Sequence, residues 1–407
     1  MPHFLEETRA IREDPTWRVD PQPRALEDRR VDIGDVSPAN REFLLCALNS
    51  GAQGVQVDFD DGHCPTWNNT IQGHFNVLQA ARGLLEVSGQ RIVENPALLV
   101  IRPRAWNMDE SHMLVNGRVV PGALFDFAMH LFHNGKHLLK TERGPFLYLP
   151  KLEGYTEATL WRKTFEYTEK KLGLPHGCIK ATVLIENIFA AFEMDEILYE
   201  LRHHSSGLNC GMWDYTASIV VNFRLKPEFS LPDRQQYYMD LLILTCKRRH
   251  APATTGMVPF VLSELPSGMS QAEAVEKATS GKGMEALAGS DGALVYDLAL
   301  VEPVAKVFTE TRGKINEADR SPLTFDEALL TEKLLTLPRG DVTLKSVEMN
   351  VRVALLYVIH WLYDHGTVVV NGCIEDSATA EISRAQLWQW VHHRVPIAGT
   401  PRRVDAT

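Results

Sequence analysis

The chain contains no run of 18 or more apolar residues, so no membrane-spanning helix is expected. Its first residues, MPHFLEETRAIRED, are acidic and lack the apolar centre of a secretory signal, and they are too acidic for a transit peptide. Cysteine is sparse. Cys46, Cys64, Cys178, Cys210, Cys246 and Cys373 form no CxxC pair and share no His-rich spacing. Without a secretion signal they read as reduced thiols, mostly buried. Positive charge is also in deficit: the net charge is −10, and basic clusters such as Lys247-Arg248-Arg249 are too short for a nucleic-acid face. There is no internal repeat and no low-complexity tract. The last residues, Asp405-Ala406-Thr407, are not an SKL-type peroxisomal address.

What remains is an ordinary globular composition, 44% hydrophobic and 23% charged over 407 residues. That length suits one large α/β barrel with appendages. Residues 1–35 are polar and rich in proline. Ser37-Pro38 then reads as an N-cap followed by proline at the first helical position, with the helix running to Asn49 and ended by Gly51. Eight strand candidates follow, separated by helical patterns: 55–59, 98–104, 145–151, 180–186, 208–214, 254–260, 292–298 and 367–372. Apolar strands alternating with helices signal parallel βα units, and eight of them predict a TIM barrel. A long segment, 301–366, separates the last two. It holds a polar stretch near 311–345 and then a strong amphipathic helix, VEMNVRVALLYVIHWLYDHG. A further helix, ATAEISRAQLWQWVHH, precedes a short tail.

The most informative stretch is VLIENIFAAFEMDEILYELRHHSSGLNCGMWDY, residues 183–215. An apolar run ends in Glu186. A helical pattern follows, with Phe189, Phe192, Ile197, Leu198 and Leu201 on one face, and Gly207 is expected to stop it. A second run ends in Asp214, 28 residues after Glu186. One βα repeat therefore separates two carboxylates at neighbouring strand tips, on the rim where barrel enzymes collect catalytic groups. Two such acids suit a hard divalent cation such as Mg²⁺. They suit equally the capping of the helices that follow them.

The string LIE…FEMDEILYELR.H..GLNCG.WDY resembles the malate synthases, in particular the isoform A type. LEDRRV before the barrel, DFDD after the first strand candidate and ED.ATAEISR near the C-terminus extend the likeness over most of the chain. The resemblance implies a (β/α)8 barrel over 51–376 with an insertion around 311–345. It also implies an N-terminal segment and helix over 1–50, and a truncated C-terminal helical segment over 377–407. Both ends look shorter than is usual in the family.

The reaction implied is the Mg²⁺-dependent Claisen condensation of acetyl-CoA with glyoxylate, followed by thioester hydrolysis to malate and CoA. By resemblance Glu186 and Asp214 hold Mg²⁺, which activates the aldehyde. Asp376 is the base that takes the methyl proton, a role contributing about 10²–10⁴-fold. The reading from the residues alone makes Asp376 a helix N-cap. Arg102, in LLVIRPRAW, stabilises the enolate through its planar fork, while Arg104 lies two residues further out. Backbone N–H groups around Met212, Trp213 and Asp214 hold the glyoxylate carboxylate. Asp58, Asp60 and Asp61 bind metal waters and orient Arg102.

The chain departs from the family pattern at several points. GRWDYIFS reads GMWDYTAS, the RGWH or RGLH segment reads RAWN with Asn107 in place of histidine, MGGM reads TTGM, and HDG…HPGL reads SDG…YDLAL. These changes keep two alternatives open: a related CoA-ester lyase or synthase acting on another 2-oxo acid, and a catalytically weakened paralogue acting as a binding protein. Many eukaryotic members carry an SKL-type signal. Its absence makes the cytoplasm the expected location, ahead of the peroxisome. No nucleic-acid or membrane partner is expected, and the sequence leaves monomer and homo-oligomer open.

Overall fold

A computed structural model describes residues 1–229, 238–312, 325–336 and 340–405. Eight parallel strands close into a barrel: β1 (Val31–Val36), β2 (Gly54–Asp58), β3 (Leu98–Arg102), β4 (Phe146–Leu149), β5 (Lys180–Ile185), β6 (Ser205–Cys210), β7 (Ala253–Val258) and β8 (Gly292–Val295). Each strand pairs with its neighbours in sequence order. Closure is made by β1 against β8, with Val31 opposite Ala293 and Ile33 opposite Val295. All but β7 are buried along their whole length. Burial on both faces is why strands such as β3 (LLVIR) and β5 (KATVLI) read as apolar runs without alternation.

The TIM barrel is as expected, but two of its strands are not. β1 lies at 31–36, inside the segment read as polar lead-in. One of its two acids, Asp32, is accommodated by pairing. Asp32 Oδ2 accepts from Arg29 Nη2 (2.6 Å) and from the Tyr148 hydroxyl (2.6 Å), all three side chains being buried. The eighth candidate, 367–372, is not a barrel strand. Val368–Val370 pairs antiparallel with Cys373–Glu375 in a separate hairpin. Asn371 and Gly372, both at positive φ, make its turn. The hairpin docks on the exit of β7, where Val261 N donates to the Gly372 carbonyl (2.9 Å) and Ile374 N to the Pro259 carbonyl (2.8 Å). The barrel strands therefore run from Val31 to Val295, earlier at both ends than the expected 51–376.

Smaller expectations also shift. The helix expected after Ser37 is Arg41–Leu48, capped by Asn40 rather than Ser37. The helical pattern after β5 breaks into a short 3₁₀ turn, Ala190–Phe192, and a helix, Met194–Glu200, with Phe189 partly exposed. Gly207 ends no helix but sits inside β6 at φ +108°, where a Cβ would lie 2.1 Å from the Pro252 carbonyl oxygen. The polar stretch near 311–345 falls partly outside the described residues; within it, Glu327–Leu335 is helical. The amphipathic helix is Leu344–Leu362, and it packs with Ser377–His392 beside the barrel. Helix Ser377–His392 also packs on Met212–Asn222, which follows β6. The C-terminal elements are thereby joined to the rim that carries Glu186 and Asp214.

Candidate active site

The C-terminal ends of β2, β3 and β5 converge on a buried group of carboxylates around one guanidinium. Arg102 ends β3 and is 4% exposed. Its Nη1 donates to Asp58 Oδ2 (3.3 Å), and its Nη2 to Asp61 Oδ2 (2.6 Å) and Glu186 Oε1 (3.1 Å). Asp60 and Asp214 lie 3.5 and 3.8 Å from Nη2. Burial opposes charge on Arg102, but Asp58, Asp61, Glu186 and Asp60 outweigh it and hold the group protonated well above its ordinary range. Among the described residues its Nε is buried without a hydrogen-bond partner, and Arg102 lines a pocket.

Glu186 follows β5, and β5 and β6 are hydrogen-bonded neighbours, with Ile185 opposite Cys210. The two expected metal ligands therefore share one rim. Asp214 does not end a strand; it lies in the first turn of helix Met212–Asn222. Gly211, the N-cap, provides no side-chain cap, so that turn presents its N–H end to the pocket lined by Met212, Trp213 and Asp214. Gly211 is required by close approach, because a Cβ there would meet Glu186 Cγ at 2.2 Å.

A third carboxylate joins this pair. Oxygens of Asp61, Glu186 and Asp214 lie within 4.8 Å of one another. Asp61 was expected only to bind waters and orient Arg102. Here its Oδ2 receives Arg102 and its Oδ1 accepts the Ser377 hydroxyl. Asp58 is turned inward, its oxygens accepting the N–H groups of Asp60 (2.8 Å) and Gly62 (2.7 Å). Asp60 Oδ1 accepts from Ala105 N (2.9 Å). These acids shape the loop after β2 as well as holding Arg102.

Asp376 lines the same pocket as Arg102, Asp61, Glu186 and Asp214. It is also the N-cap of Ser377–His392: its Oδ1 accepts from Thr379 N (3.0 Å), and its own N–H donates to Thr379 Oγ1 (2.9 Å). The cap engages Oδ1 and not Oδ2, so capping and a chemical role are compatible. Asp376 reaches the rim because the hairpin carries it there.

Crowding of like charges separates the acids. Burial and Asp61 push Asp376 up to about 6, against relief from Thr379 and Arg102. Burial raises Asp58 to about 7, with Arg102 opposing. Asp214 is held well above the usual carboxylate range by burial and Asp61, although Lys151 opposes. Asp61 goes the other way: Lys151 and Arg102 overcome its burial and hold it below that range.

Two site residues were not singled out in the sequence. Lys151, after β4, donates from Nζ to Asp60 Oδ2 (2.6 Å) and Asp61 Oδ2 (2.5 Å), and lies 3.4 Å from Asp214 Oδ1. Its backbone N–H donates to Glu186 Oε2 (2.9 Å). Its φ is +54°, a left-handed conformation costing a lysine about 1–2 kcal/mol. A charged residue closing the run PFLYLPK was the available signal. Asp35, in β1, lines the pocket and is raised by burial, then by Asp376 and Asp58. It was hidden with its strand.

Glu169, His176 and His204 also cluster, but Glu169 and His204 Nδ1 serve the backbone. Glu169 accepts the N–H groups of Gly177 and Ile179 (3.1 and 3.2 Å), and His204 Nδ1 bonds the Ile179 carbonyl (3.1 Å), fastening the loop before β5. No helix among the described residues is long and apolar enough to cross a membrane.

Comparison with known proteins agrees with this fold. Residues 98–337 match the family model of the malate synthase TIM barrel domain, and 341–407 that of the malate synthase C-terminal domain. Malate synthase of Myxococcus xanthus is 41% identical over 96% of this chain and 74% of its own length. Malate synthase A of Escherichia coli is 38% identical over 97% of this chain and 76% of its own length. A solved structure described as the Haloferax volcanii malate synthase pyruvate/acetyl-CoA ternary complex shares the fold, with a TM-score of 0.54 at 15% identity, covering 88% of this chain and 89% of that one. The identity of nearly the whole chain to such relatives favours neither the alternative lyase nor the weakened paralogue. With its closed barrel and its acid-ringed arginine, the chain belongs to the malate synthase family, enzymes that condense acetyl-CoA with glyoxylate.

Proposed function

We propose that the pocket bounded by Arg102, Glu186, Asp214 and Asp376 is the catalytic centre for that condensation, with Mg²⁺ as its metal and glyoxylate as the acceptor. The donor set supports the metal. Three carboxylates with oxygens within 4.8 Å of one another, and no sulfur or imidazole among them, match the oxygen preference of a hard cation. Glu186 and Asp214 would hold it, with Asp61 alongside. When bound, Mg²⁺ supplies Lewis-acid polarisation of the glyoxylate carbonyl.

The remaining chemistry belongs to side chains of this chain. Asp376 takes a proton from the acetyl-CoA methyl. A carboxyl raised to about 6 is ionised at neutral pH, yet more basic than an ordinary aspartate, which suits a general base. Arg102 donates hydrogen bonds to the enolate oxygen so formed; its fixed charge and unpartnered Nε support that role. The N-terminal turn at Met212–Asp214 receives the glyoxylate carboxylate, a suitable anion for a helix start without a side-chain cap. Asp58 and Asp60 hold Arg102 and the β2 loop in register.

The single observation that carries this reading is the pocket itself: base candidate, guanidinium and both metal-ligand candidates line one cavity. The test is thiol release from acetyl-CoA with glyoxylate, with and without Mg²⁺. Mg²⁺-dependent CoA release is expected. Folded protein that releases no CoA above background would overturn it.

A further inference from the structure

We propose that Lys151 is a built-in counter-cation of the metal site, an ammonium that holds the carboxylates together when no divalent ion is bound and gives way when one binds. The inference rests on the Mg²⁺ reading above. It starts from the charge balance. Among the described residues, Asp58, Asp60, Asp61, Glu186 and Asp214 surround two cations, Arg102 and Lys151. Without a metal, the mutual repulsion of the acids must be offset by those two.

The two cations differ in kind. Arg102 is 4% exposed, planar, and bonded at once to Asp58, Asp61 and Glu186, so it is a fixed part of the wall. The Lys151 side chain is 25% exposed, and its charge sits at the end of a flexible four-carbon stem. Nζ contacts Asp60 and Asp61 and is the cation nearer to Asp214, at 3.4 Å against 3.8 Å for Arg102. It thus touches both Asp61 and Asp214, two of the three carboxylates that converge as metal-ligand candidates. The left-handed backbone at Lys151 lets one residue serve both sides, the N–H going to Glu186 Oε2 and the ammonium to the aspartates. The N–H bond does not depend on the side chain, so Lys151 can surrender its ionic contacts and still hold Glu186. A cation that shares ligands with the metal also competes with it, so Lys151 should lower Mg²⁺ affinity while stabilising the metal-free protein.

The experiment compares wild type, Lys151→Met and Lys151→Arg, with Mg²⁺ alone as the probe, by thermal melting in EDTA and in saturating Mg²⁺ and by calorimetric titration. Lys151→Met should melt at least about 3 °C below wild type in EDTA, and the gap should shrink to about 1 °C or less in Mg²⁺. Its Mg²⁺ dissociation constant should tighten by roughly fivefold or more, since a repelling charge has been removed. Lys151→Arg should stay near wild type in both. If Lys151→Met is recovered only in the continuous presence of Mg²⁺, that is the expected dependence in its extreme form. A melting gap that is the same with and without Mg²⁺, or an affinity unchanged or weakened in Lys151→Met, would overturn the proposal. A wild type that takes up no Mg²⁺ would instead overturn the metal reading, and the proposal with it.

Discussion

Replacing Asp376 by asparagine separates its two duties. The cap uses Oδ1 alone, accepting from Thr379 N at 3.0 Å, and the reciprocal bond from Asp376 N to Thr379 Oγ1 needs no side chain at 376. Asparagine caps helices about as well as aspartate, so Asp376→Asn should keep both bonds, whereas Asp376→Ala, which loses the cap, should be about 1 kcal/mol less stable than Asp376→Asn. Removal of the charge should even help. Burial and Asp61 move the carboxyl from 3.8 to about 6, which penalises its ionised form by on the order of 3 kcal/mol at neutral pH. A carboxyl raised in this way contributes its full stability below about pH 4 and loses it as the pH rises through about 6. Asp376→Asn should therefore melt above wild type near neutral pH and level with it near pH 4. Turnover should fall by about 10²–10⁴-fold in the thiol-release assay, and exchange of acetyl-CoA methyl protons with solvent should fall with it. Mg²⁺ binding should persist. Turnover within tenfold of wild type would refute the base. A lower melting temperature near neutral pH would refute the account of its charge.

Three further outcomes are expected. Glu186→Gln and Asp214→Asn should each weaken Mg²⁺ binding by roughly tenfold or more while the barrel stays folded, as calorimetric titration and circular dichroism would report; wild-type affinity in either removes that residue from the metal site. Arg102→Lys should lose about 10²-fold or more in turnover, because an ammonium cannot replace a fork that bridges Asp58, Asp61 and Glu186; near-normal kcat would leave Arg102 as general charge only. Gly211→Ala should cost about 1–3 kcal/mol in denaturant titration and weaken Mg²⁺ binding, since its Cβ would meet Glu186 Cγ at 2.2 Å; an unchanged melting curve would show that Glu186 moves freely.

The sequence by itself determined the barrel class and most of the candidate chemistry. Runs such as KATVLI and LLVIR are apolar and β-branched because strands buried on both faces must be, and their alternation with helices leaves a parallel barrel as the architecture. Glu186 and Arg102 were legible because each directly ends or follows such a run, which puts it on the rim. Membership of the sheet was decided only in three dimensions. VDIGDV looks like loop because of its two aspartates; one of them, Asp32, is paired with Arg29, a partner outside the strand, and accepts from Tyr148, more than a hundred residues away. TVVVNG looks like a barrel strand because β-branching specifies extended backbone without specifying which edge it will pair with; its own turn folds it back onto Cys373–Glu375. Lys151 stayed hidden for a related reason. Its importance lies in a positive φ and in three carboxylates from two separate segments, none of which a local pattern encodes. Residue type and period set what each segment can be, while the placing of charges beside one another is a long-range outcome of closure, and only the folded chain decides it.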